Sequence, residues 1–193
     1  MSSKRFVIVS FFVTLSLSAL CQSSYDILKS VFGHLSVFGH LPAMESLNLL
    51  YAVGPGCFLV KYFIDDVVDD NAGLGETISR RSLASLIVAW MFFLFSAISA
   101  GALSVSALFW LIGVGVVSLF LVKNRSTIPP KCFRRYLFEN IALCVVLLIL
   151  ALPLAVPCAG RIAVLGVGVG LLSFATIGSF VAMLCDGEPE NPG

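Results

Sequence analysis

Residues 82–122 read SLASLIVAWMFFLFSAISAGALSVSALFWLIGVGVVSLFLV, a run of 41 residues without one charged side chain. As a single helix rising about 1.5 Å per residue, this run would be roughly twice as long as the ~30 Å hydrocarbon core of a membrane is thick. It must therefore turn back once, and the small residues of 96–106 predict where it does so. Two transmembrane helices near 83–101 and 104–122 follow.

The composition excludes an ordinary soluble domain. Of the 193 residues, 59% are hydrophobic and 12% are charged, with a mean hydropathy of +1.01, whereas soluble domains have about 25% charged residues. The 12 basic and 11 acidic residues leave a net charge of +1, so a nucleic-acid partner is not indicated. We therefore expect an all-α fold, a polytopic transmembrane helix bundle in which residues 1–193 form a single membrane domain.

Further apolar runs complete the predicted bundle. Its six spans lie near 6–21, 46–64, 83–101, 104–122, 138–156 and 162–185, with an external amphipathic segment at 22–45 and a polar tail at 186–193. The first run follows Lys4 and Arg5 and also resembles a secretory signal peptide cut after Cys21. In that case five spans would remain.

The distribution of basic residues predicts the orientation of the bundle. With six spans, ten Lys and Arg side chains fall on one membrane side and two on the other, and the basic side of short loops is cytoplasmic. Both termini are then cytoplasmic. The loop 123–135 is expected to lie at the anionic membrane surface, where each basic residue contributes about 1 kcal/mol. Its basic residues are Lys123, Arg125, Lys131, Arg134 and Arg135.

Two glycine patterns predict local features of the helices. Gly54, Pro55 and Gly56 stand in the middle of the second span, where a proline removes a backbone hydrogen bond, so we expect a kinked or partly unwound helix there. Gly166 and Gly170 form a G-x-x-x-G pair, which is typical of a close contact between two transmembrane helices.

Four carboxylates form the densest chemical cluster in the sequence. If the second helix continues through them, Asp65/Asp69 and Asp66/Asp70 are two pairs spaced by one turn. Carboxylate oxygens in such pairs suit Mg²⁺. The alternative is a solvated acidic loop in which the aspartates pair with arginines or cap a helix.

The run 61–69 resembles the N-x-x-x-D-x-x-x-D motif of the UbiA-type intramembrane prenyltransferases. Asp65 and Asp69 match by spacing, and Lys61 replaces the asparagine. In that family the aspartates bind an isoprenoid diphosphate through magnesium, so the resemblance implies a magnesium-dependent prenyltransferase as an alternative function. The family also needs a second acidic motif, for which only 186–190 is available, and it has nine helices, more than this chain can form.

No other motif indicates catalysis, since G-x-S-x-G and H-E-x-x-H are both missing from the sequence. The sequence therefore favours a non-enzymatic protein without a cofactor, with a structural, assembly or membrane-remodelling role. Its expected partners are the lipid bilayer and other membrane proteins or further copies of itself. A small transporter or channel is a further alternative. The final residues 190–193, Glu-Asn-Pro-Gly, resemble the upstream product of viral ribosome-skipping peptides, which implies a viral membrane protein.

Overall fold

The computed structural model describes residues 3–38, 43–68, 80–127, 130–155 and 160–185. These residues are helical apart from short turns and include no strand, which confirms the all-α prediction. A single 3₁₀ turn connects the fourth and fifth helices. The six α-helices are α1 (Ser3–Phe38), α2 (Ala43–Val68), α3 (Arg80–Ile98), α4 (Leu103–Lys123), α5 (Pro130–Ala155) and α6 (Arg161–Cys185).

The helices form a closed ring. Each packs mainly against two neighbours, in the order α1, α2, α6, α5, α4, α3 and back to α1, and α2 also touches α4 across the interior. The interior is filled by large side chains that are at most 2% exposed. They include Tyr51, Leu59, Phe93, Trp110, Leu147 and Leu165.

Consecutive helices run in opposite directions, so the ring has two distinct faces. We call the face with the start of α1 and the end of α6 the termini face, and the opposite one, with the α3–α4 turn at 99–102, the turn face. This turn lies inside the small-residue stretch that sequence analysis singled out. It is closed by backbone hydrogen bonds, including one of 2.8 Å from the Ala102 amide to the Ser99 carbonyl.

Five of the helices are long and apolar enough to cross a membrane. The sixth, α3, has a shorter apolar stretch at Ile87–Ile98 among its described side chains. The structure therefore supports a multi-pass integral membrane protein.

The first helix differs from its prediction. A span at 6–21 and a separate amphipathic segment at 22–45 were expected, but α1 is one helix of 36 residues. At about 1.5 Å per residue it is roughly 54 Å long, longer than the hydrocarbon core is thick. Ile27 and Val31 are buried, so the packing of this helix continues past residue 21.

The unwinding expected at Gly54, Pro55 and Gly56 is not observed. The helix α2 continues through this stretch with Pro55 inside it. The glycines instead allow neighbouring helices to approach closely. A Cβ atom added to Gly54 would lie 2.9 Å from Leu172 on α6, and one added to Gly56 would lie 3.1 Å from Leu20 on α1.

The close helix contact expected at Gly166 and Gly170 is found at Gly168 instead, where α6 packs against α5. A Cβ atom at either position would meet no described atom within 4 Å, whereas one at Gly168 would overlap with Leu150 of α5. The helix α6 is rotated so that Gly168 faces its neighbour. Gly166 and Gly170 therefore make no such packing contact with the described part of the chain.

Candidate functional site

A buried lysine lies inside the helix ring. Lys61 lies on α2, and its side chain is 1% exposed. Taking an ammonium group out of water costs several kcal/mol unless an opposite charge compensates it. Its Nζ donates a 3.0 Å hydrogen bond to Oε2 of Glu139 on α5. Because α2 and α5 are not neighbours in the ring, this ion pair crosses the interior.

A second cation completes the group. Arg135 lies one turn before Glu139 on α5, and its Nε donates to Glu139 Oε1 at 3.1 Å. Lys61 Nζ is also 5.9 Å from the centre of the Tyr136 ring, within the range of a cation–π contact. Both carboxylate oxygens of Glu139 thus have a cationic partner. We call Lys61, Arg135 and Glu139 the ion-pair cluster.

The ion-pair cluster extends from the interior of the ring to its edge. Lys61 follows Ala43, the first residue of α2, by 18 residues, or about 27 Å along the helix axis, so it lies toward the termini face of the ring. Exposure rises from 1% for the lysine to 23% for the Glu139 side chain and 32% for the Arg135 side chain. The described charges of the cluster therefore extend from a buried lysine to a partly exposed arginine.

A group of hydroxyls ties three helices together nearer the turn face. Ser106 Oγ on α4 lies 3.1 Å from Tyr51 Oη on α2, 2.9 Å from Ser96 Oγ on α3 and 2.7 Å from the Ser96 carbonyl oxygen. A hydroxyl has one proton and two acceptor lone pairs, so these contacts use its full capacity. All three residues are fully buried.

The α3–α4 turn is bonded to the two helices beside it. Asn48 Nδ2 on α2 donates to the Gly101 carbonyl at 2.8 Å, and Ser23 Oγ on α1 donates to the Ala97 carbonyl at 3.1 Å. The Asn48 bond satisfies a carbonyl group in the turn, where the helical pattern leaves it without an intrahelical partner, and the Ser23 bond adds to the one that the Ala97 carbonyl accepts from the Ala100 amide at 3.3 Å. Side-chain contacts therefore connect the ring near both faces.

The predicted acidic site falls largely outside the described residues. Asp65 and Asp66 belong to α2, but their side chains are not described, and Asp69 and Asp70 lie outside the described ranges. Within the described ranges, no three His, Cys, Asp or Glu side chains are placed to share a metal ion. The magnesium site stays a prediction.

The predicted basic loop is partly helical. Pro130 is the first residue of α5, where proline's missing N–H costs nothing, so the second half of 123–135 belongs to this helix. Lys123, Arg125 and Arg134 are exposed, and the Lys131 side chain lies outside the described part. Arg135 is partly buried by its contact with Glu139 rather than left free for the membrane surface.

Sequence analysis missed the pairing of Lys61 with Glu139. The sequence analysis named Lys61 only as the residue that replaces an asparagine in the acidic motif, and Glu139 lies unremarked at the start of the span predicted at 138–156. The available signal was that both charges border long apolar runs, where a charge needs a partner inside the bundle.

Comparison of the chain with protein-family models, curated proteins and solved structures finds no match.

Proposed function

We propose that this integral membrane protein has a structural, assembly-type role, in which a rigid six-helix ring is held in one arrangement by polar contacts inside it. The single observation that carries the proposal is the ion-pair cluster. Both oxygens of Glu139 are engaged, one by Lys61 from across the ring and one by Arg135 from its own helix.

A pair of this kind favours one arrangement of the helices over others. Helices that are apolar on all sides can pack against each other in many registers. A buried ammonium must meet its carboxylate, because otherwise the fold is destabilised by several kcal/mol. The hydrogen-bonded hydroxyls of Tyr51, Ser96 and Ser106 add a second such requirement nearer the turn face. Specific polar contacts and a filled interior are typical of a scaffold, whereas a binding or transport protein needs an open site.

The outer surface of the ring supports the bilayer as the main partner. Large apolar side chains such as Leu119, Phe138 and Phe174 are more than 70% exposed, and lipid chains are their natural contact. Beyond α4, Arg125 lies 5.7 Å from the ring of Phe133 and stays exposed. Basic side chains beyond the ends of the apolar helices can bind anionic lipid headgroups. Further copies or other membrane proteins would contact the same outer surface.

The test replaces the ion pair by apolar side chains of similar size. The double variant Lys61→Met, Glu139→Leu removes both charges, and such replacements of buried pairs are often neutral for stability. We expect it to fold and to keep the particle mass of the wild type in detergent. Vesicles containing wild type or double variant should show the same proton and ion flux as protein-free vesicles. Lys123→Met, at an exposed lysine, is the matched control.

Transport is the second candidate, because intramembrane ionisable groups commonly line ion and proton pathways and Lys61 is such a group. The same vesicles separate the two. A wild-type flux above the protein-free level that disappears in the double variant, but not in Lys123→Met, would replace the scaffold by a transporter. A wild-type flux that persists in the double variant would also contradict the scaffold, and would place the pathway elsewhere in the ring.

A further inference from the structure

The start of α4 is buried and has no side-chain cap. Its N-cap residue is Ala102, which makes no side-chain hydrogen bond to the helix. Among the described backbone hydrogen bonds, the first α4 amide with an acceptor is that of Val105, which donates to the Ala102 carbonyl at 2.9 Å. The amides of Leu103 and Ser104 precede it, and these residues are 2% and 4% exposed. Helix amides buried in this way need an acceptor.

Two buried polar atoms without a described partner belong to residues beside this helix start. Asn48 Nδ2 bonds to the Gly101 carbonyl, and because a carbonyl only accepts, this bond fixes which end of the amide group faces the turn. The other end, Oδ1, has no partner although Asn48 is 8% exposed. The Oγ atom of Ser104, in the first turn of α4, is likewise buried and without a partner.

A buried polar atom that nothing bonds to is destabilising, because it has lost its hydrogen bonds to water. A ligand that relieved this destabilisation would have to donate to Asn48 Oδ1 and accept from the α4 amides. An anion suits a helix N-terminus but would be repelled by the Asn48 oxygen. A cation would be repelled by the amides. The fitting ligand is a small neutral molecule that both donates and accepts, and buried waters typically make about three such bonds.

We propose that an ordered water molecule is bound at the buried start of α4, held by Asn48 Oδ1, Ser104 Oγ and the Leu103 and Ser104 amides. It joins α2 to α4 just below the α3–α4 turn. The site is distinct from the ion-pair cluster and does not depend on the proposed scaffold function.

The test is the nuclear Overhauser effect between water and backbone amides in the ¹⁵N-labelled full chain in detergent micelles. We expect a cross-peak to water from the Ser104 amide, with the sign of a long-lived bound water, and none from Ala107, which is fully buried one turn further along α4. Gly101, exposed in the turn, is the control for ordinary solvent exchange. Wild type alone decides the first question: if Leu103 and Ser104 show no such cross-peak, the proposal is wrong.

Two variants identify what holds the water. Ser104→Ala removes the hydroxyl, whose own exchanging proton would imitate bound water, and we expect the cross-peak to remain. Asn48→Leu removes the acceptor, and we expect the cross-peak to be lost while Ala107 is unchanged. Loss of the cross-peak in Ser104→Ala, or its survival in a folded Asn48→Leu variant, would contradict the proposed site.

Discussion

Lys61 and Glu139 are 78 residues apart in the chain, yet Nζ of the lysine and Oε2 of the glutamate are 3.0 Å apart inside the helix ring. The contact joins α2 to α5, which are not neighbours in the ring. The two partners are unequal in burial, because the Lys61 side chain is 1% exposed and the Glu139 side chain, which Arg135 also contacts, is 23% exposed. Removal of the lysine charge and removal of the glutamate charge should therefore lower the stability by different amounts.

Removal of Glu139 should destabilise the protein more than removal of Lys61. Glu139→Leu leaves the 1% exposed ammonium without this carboxylate, which should cost about 3 to 5 kcal/mol. Lys61→Met should cost clearly less, since Arg135 still neutralises the carboxylate. The double variant should be more stable than Glu139→Leu alone. Unfolding in mixed detergent measures all three, and equal losses for both single variants would contradict the asymmetry.

Gly113→Ala should destabilise the contact between α3 and α4. An added Cβ would overlap with the ring of Phe93, which is 1% exposed and lies 4.7 Å from the Trp110 ring. Overfilling a packed site typically costs about 1 to 3 kcal/mol. Gly115→Ala is the matched control, because its Cβ meets nothing within 4 Å and alanine favours a helix over glycine. Thermal unfolding that ranks the two variants equally would refute this packing.

Gly168→Ala should be more harmful than Gly170→Ala on the same helix. The added methyl at Gly168 would overlap with Leu150, a fully buried side chain that has little room to move. We expect a loss of about 1 kcal/mol or more. At Gly170 the methyl meets open space, so stability should be unchanged or slightly higher. The reverse order in a thermal shift assay would show that the G-x-x-x-G pair makes the contact after all.

Tyr51→Phe should weaken the hydrogen-bonded cluster of hydroxyls near the turn face and so lower the stability of the protein. The change removes the hydroxyl that bonds to Ser106 and Ser96, and hydrogen bonds inside membrane bundles average about 0.6 kcal/mol each. Tyr25→Phe is the control, since Tyr25 is 62% exposed and should tolerate the change. Detergent unfolding with a loss above 2 kcal/mol at Tyr51, or none, would contradict this estimate.

The connection between α4 and α5 should face the cytoplasm. Asn124, Arg125 and Ser126 form a glycosylation sequon, which we expect to stay unmodified because basic loops remain inside. A reporter that is active only in the cytoplasm should be active when it is inserted at residue 127. A reporter that is active only on the other side of the membrane should be active when it is inserted at residue 100. A glycan on Asn124 would reverse the predicted orientation.

The sequence alone determined that the chain is a helical membrane bundle, because two local properties encode this. Within a lipid environment a segment must satisfy its own backbone hydrogen bonds, which imposes a helix, and the length of a charge-free run sets how often it crosses. The run 82–122 therefore had to form two helices and turn near its middle, and the turn is at 99–102.

Only the tertiary structure decided which side of each helix faces the interior. A helix such as α4 is apolar on nearly every side, so its pattern of residues carries little information about its rotation. This is why Gly168, rather than Gly166 or Gly170, meets a neighbour, and why Lys61 meets Glu139. Such contacts depend on the order of helices in the ring and on rotation about each axis, which are set by packing between distant segments rather than by local sequence.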